Sequence, residues 1–98
     1  MSITQESGTL QLFTSRFVEE IEFYALMSGT GQVTGEQIGE VALDIIRIDL
    51  QRSDVAVVIE GLPAELRNLL LHASQNPLTT WAAHRQIQMV KKIGRAHV

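Results

Sequence analysis

The chain has 98 residues, a formal net charge of −3 and no cysteine. That length makes one domain with a single modest core, burying roughly two-thirds of the unfolded surface. The lack of cysteine excludes a disulfide framework, a thiol nucleophile, a zinc knuckle and a cysteine-held iron–sulfur cluster.

Charged residues make up 19% of the chain, against about 25% in ordinary soluble domains. A small domain with few charges leaves apolar surface exposed, and such surface meets a partner. A homo-oligomer or a complex with a larger protein is therefore expected. The charge is also unevenly spread. Residues 1–44 hold seven acids against Arg16 alone, and residues 45–98 hold seven bases against four acids. Pairing between the halves inside one fold is the simplest consequence; head-to-tail association or a basic docking face is the alternative. No apolar run approaches the ~20 residues of a membrane span. The opening residues lack the basic and apolar regions of a signal peptide, so a cytoplasmic protein is expected.

Residues 1–8 are small and polar and read as a disordered arm, with the helical domain over 9–92. Thr9 is placed to cap a first helix from Leu10 to Met27. There Leu10, Phe13, Phe17, Ile21 and Tyr24 step by three or four and draw one apolar stripe. Near its end the helix is apolar almost all round, because Phe23, Leu26 and Met27 fall outside the stripe. Glu19, Glu20 and Glu22 cover what remains. Gly29 suits a left-handed helix terminus, and Thr34 with Gln37 forms a capping box for a second helix reaching about Arg52. These two helices are expected to form a long antiparallel spine.

Val55, Val58, Ile59 and Leu62 are spaced for a short helix. The β-branched run over 55–59 also permits a buried strand, which would need a partner from another chain. Pro63 opens a helix whose face is Leu66, Leu69, Leu70 and Ala73, and Asn76-Pro77 stops it. Thr79 or Thr80 caps a last helix. Trp81, His84, Gln88 and Lys91 share one of its faces; Ala83, Ile87 and Val90 share another. The fold expected is an all-α bundle of four or five helices.

The final six residues, Ile93 to Val98, translate ATC GGA AGA GCA CAC GTC, and the next triplet of that string is a stop. It is the start of a common sequencing adaptor. Residues 93–98 are thus expected to be a non-native tail from a draft or metagenomic assembly, with the natural chain continuing past Lys92, and His97 carries no functional weight.

Few motifs carry chemistry. Setting Gly31 at the central glycine of an EF-hand-like loop puts the ligand positions on Leu26, Ser28, Thr30 and Gln37. Calcium needs several carboxylates there and a bidentate acid at the last position, so a calcium site is rejected. The same glycine-rich stretch lacks the Lys-Ser/Thr of a P-loop and follows a helix instead of a strand. Glu19 and Glu22 have no histidine three residues on, as four-helix di-iron sites require. His72 and His84 lack a metal-ligand spacing. No metal, cofactor or catalytic residue is assigned.

What remains is surface. The expected function is a small protein–protein interaction module, a self-associating adaptor or an inhibitor of a larger protein, acting through Phe23, Leu26 and Met27 with Glu19 and Glu22 beside them. The alternative is a nucleic-acid-binding regulator using the basic last helix through Trp81, His84, Arg85, Lys91 and Lys92. The acidic start of the second helix, Glu36 and Glu40, argues against it as a recognition helix.

Overall fold

The computed structural model describes residues 2–96, with side chains from Gly8 to Gly94. Met1, His97 and Val98, and with them the end of the expected non-native tail, lie outside the described residues.

Helix α1 runs Ser2–Ser28. Residues 2–8, expected as an arm, are its first turns. Each residue added to an existing helix gains one hydrogen bond, and the stretch before Gly8 holds no breaker. Its stripe is as the spacing predicts: Leu10, Phe13, Phe17 and Ile21 are buried, with the Phe13 and Phe17 rings stacked 5.9 Å apart. Gly29 and Gly31 both adopt φ of 73°, the left-handed region open to glycine without steric cost.

The chain then does something the apolar pattern does not announce. Gln32–Thr34 is a short strand, β1, paired antiparallel with β2, Thr80–Ala82, in the register Gln32 with Ala82, Val33 with Trp81 and Thr34 with Thr80. Val33 is fully buried. Trp81, expected on the last helix, is instead a strand residue.

Helix α2, Gly35–Asp44, starts with the expected capping box. The Gln37 N–H donates to Thr34 Oγ1 at 3.1 Å, and the Thr34 N–H to Gln37 Oε1 at 3.0 Å. It does not reach Arg52 as an α-helix. Ile45–Asp49 forms a π-helical turn, where the Leu50 N–H bonds back to the Ile45 carbonyl. The wider turn buries Ile45 and Ile46 side by side and leaves Ile48 exposed. Gln51 follows at φ 53°.

Helix α3, Val55–Glu60, settles the ambiguous run as helix; Val55, Val58 and Ile59 pack on the core and Val57 faces solvent. Helix α4 is Ala64–Gln75, burying Leu66, Leu70 and Ala73. Helix α5, Ala83–Ala96, buries Ala83, Ile87, Val90 and Ile93. The first residue of the expected tail, Ile93, is thus part of the core.

The bundle is all-α apart from the strand pair, and its spine differs from the expected one. Cut to ten residues, about 15 Å, α2 is too short to accompany α1. It packs chiefly on α4, while α5 lies along α1. The two are antiparallel: Ala83 at the start of α5 bonds to the Gly31 carbonyl beyond the end of α1, and Gly94 lies against Thr14. No helix among the described residues is long and apolar enough to cross a membrane.

Two substitutions test this packing. At Gly35 a Cβ would collide with the carbonyl oxygens of Asn76 and Ala73 and sit 2.9 Å from the Trp81 ring. Gly35→Ala is expected to lose about 2 kcal/mol, a fall in melting temperature of roughly 10 °C, with the Trp81 emission shifting as its contact loosens. Gln51→Gly relieves a left-handed conformation and is expected to gain about 1 kcal/mol, read by urea unfolding.

Candidate functional site

The first loop has the outline of a calcium-binding loop with its ligand positions put to other uses. Ser28 Oγ donates to the Ala25 carbonyl at 2.8 Å, lies 3.1 Å from Thr30 Oγ1, and accepts from the Thr30 N–H at 3.3 Å. Thr30 Oγ1 in turn accepts from the Gln32 N–H at 3.3 Å. Gln37 is held in the capping box, and Leu26 stands in solvent. The hydroxyls close the loop on themselves. Among the described residues no three His, Cys, Asp or Glu side chains gather where they can hold a metal ion.

The notable concavity lies beside this loop. The last turns of α1 and the first turns of α5 are brought together where β1 and β2 pair. The residues between them are small: Ala25, Gly29, Gly31 and Ala83. Missing side-chain volume leaves an open groove of about 790 Å³. Phe23, Leu26 and Ile87 are the large apolar side chains among its lining. Phe23 is 54% exposed and Leu26 79%, so the groove is presented to solvent and not closed by the fold.

Its two rims carry opposite charge. Glu19 and Glu22 stand on the α1 side; His84, Gln88 and Lys91 stand on the α5 side. Arg16 bonds Asp49, Glu19 and Glu20 together, and the Asp49 hydrogen bond foremost raises the guanidinium's pKa. One cation shared by three carboxylates leaves the α1 rim net negative. Tyr24, whose ring meets that of Phe23 edge-on at 6.0 Å, has its phenol pKa raised, first by burial and then by Glu40, Asp44 and Glu20.

The structure thus brings two separately predicted sets into one place. Phe23, Leu26, Glu19 and Glu22 form one wall, and His84 and Lys91 the other. Met27 is exposed at 69% just outside. Arg85 and Lys92 are exposed but do not line the groove. Trp81 is set apart from all of these: its ring meets His72 edge-on at 5.6 Å and covers Gly35. The aromatic member of the predicted basic face is therefore used in packing, and of the rest only His84 and Lys91 stand across the groove from Glu19 and Glu22. Sequence reading put Gln88 on the face of His84 and Lys91 but assigned neither it nor Ala25, Gly29, Gly31, Ala83 and Ile87 to a site. A hydrophobic period marks Ala83 and Ile87 as core but says nothing of which helix they will face.

Because the loop offers no carboxylate, adding about 1 mM calcium is expected to leave the melting temperature unchanged, read by differential scanning calorimetry. Comparison with family models, with curated proteins and with solved structures finds no match for this chain.

Proposed function

We propose that this protein is a cytoplasmic protein–protein interaction module, a self-associating adaptor or inhibitor and not an enzyme, and that its working surface is the groove between α1 and α5. The observation that carries the reading is the exposed apolar run Phe23, Leu26 and Met27 at the edge of an open groove. Large side chains at such exposure are unfavourable in water. Clustered beside a cleft with charged rims, they have the anatomy of a binding site: an apolar centre and a polar border. An amphipathic helix fits it, because a helix laid between two others buries one face and keeps its charges at the rim.

The test is a paired substitution. Leu26→Lys with Met27→Lys places cations in the last turn of α1, where the helix dipole favours them, and both positions are exposed, so the melting temperature is expected to stay within about 3 °C of the parent. The complex that the parent protein forms is expected to weaken about tenfold or more, read as mass by light scattering on the purified protein and as cross-linked adducts in cell extract. A parent protein that forms no complex in either setting overturns the reading.

A further inference from the structure

We infer that the occupant of the groove is a second copy of this chain, related by a two-fold axis running parallel to α1 and α5. This rests on the reading of the groove as an interaction surface and names its partner. Charge placement carries it. The α1 rim is acidic, through Glu19 and Glu22, and the α5 rim carries the positive charge of Lys91, with His84 beside it. Among the described residues Glu22, His84 and Lys91 enter no ion pair. Arg16 is divided among Glu19, Glu20 and Asp49 and does not cancel its rim.

A groove with one acidic and one basic rim is complementary to itself under one kind of rotation. An axis parallel to the helices lays α1 of one copy over α5 of the other, acid against base, on both sides of the groove at once. An in-plane axis across the helices lays α1 over α1 and sets acids against acids. The levels along the pair agree with the first. Gly94 lies against Thr14, so equal rise on antiparallel helices puts Lys91 about two residues, roughly 3 Å, from the level of Glu19, and Gln88 equally near that of Glu22. Such an axis keeps these levels opposed between copies. The four helices then alternate in direction around a shared centre, each antiparallel to its two neighbours, as in an up-and-down four-helix bundle. Phe23 and Leu26 from both copies fill that centre.

The experiment uses the full chain. Light scattering is expected to show a reversible dimer. The Glu19→Lys, Glu22→Lys variant and the Lys91→Glu, His84→Glu variant are each expected to dimerise about tenfold more weakly than the parent. Mixed together they are expected to form a heterodimer, since one then presents two basic rims and the other two acidic ones. Circular dichroism checks that each is folded. Independently, the chain has no cysteine, so single thiols report geometry: Glu22→Cys mixed with Gln88→Cys is expected to give the mixed disulfide in preference to either homodimer. Preferential cross-linking of Glu22→Cys to itself overturns the arrangement. A parent chain that stays monomeric to about 1 mM overturns the second copy as occupant; whether the groove binds another protein is then decided separately by the Leu26→Lys, Met27→Lys pair in extract.

Discussion

Three residues of β1 against three of β2 hold the two halves of this bundle in place. The strand pair joins the loop after α1 to the loop before α5, and Val33 anchors it in the core. Everything at the groove follows from that link. It fixes where α5 begins, so that α5 returns antiparallel along α1 and not along a shortened α2. It also sets Gly35 beneath Trp81, where the chain passes so close to the Ala73 and Asn76 carbonyls that no side chain fits. The Gly35 and Glu36 N–H groups bond to the carbonyls of Thr79 and Pro77 at 2.9 and 3.0 Å, extending the connection past the strands. A seam of so few hydrogen bonds is effective because both ends lead straight into capped or buried helices, which leave it little freedom to slip.

The helices themselves were legible. The stripe Leu10, Phe13, Phe17, Ile21 and the box Thr34–Gln37 are local signals, and local signals survive into the fold when nothing opposes them. The strand pair was not, because three residues are too few to display a period of two, and Thr80-Trp81-Ala82 reads equally well as the start of a helix. The π turn was hidden for a related reason. Ile45, Ile46 and Ile48 offer apolar residues on more than one face, and only tertiary packing decides that Ile45 and Ile46 go inward together. Its consequence spreads to the charges: Asp49, spaced to pair with Arg52, bonds to Arg16 instead, and Arg52 turns to Asp54.

The candidate site was half legible. Phe23, Leu26 and Met27 stand out in the sequence because they break the stripe of their own helix. The bases of the last helix stand out by composition. Their meeting across one groove depends on which helix neighbours α1, a property of the loop seam and not of either helix. Trp81 shows the converse. Its spacing from His84 and Lys91 is helical, but a strand residue does not share a helical face, and the ring goes to His72 and Gly35.

The first loop has one more implication. In helix–loop–helix sensors of calcium, the apolar surface appears when the ion binds and disappears when it leaves. Here Ser28 and Thr30 satisfy the loop with their own hydroxyls, at positions where such a sensor presents ligands to its ion. The groove stands open in the folded chain, with Phe23 and Leu26 exposed. On the proposed pairing of two copies, its occupancy follows mass action, and the abundance of the protein itself becomes the variable that a cell would adjust.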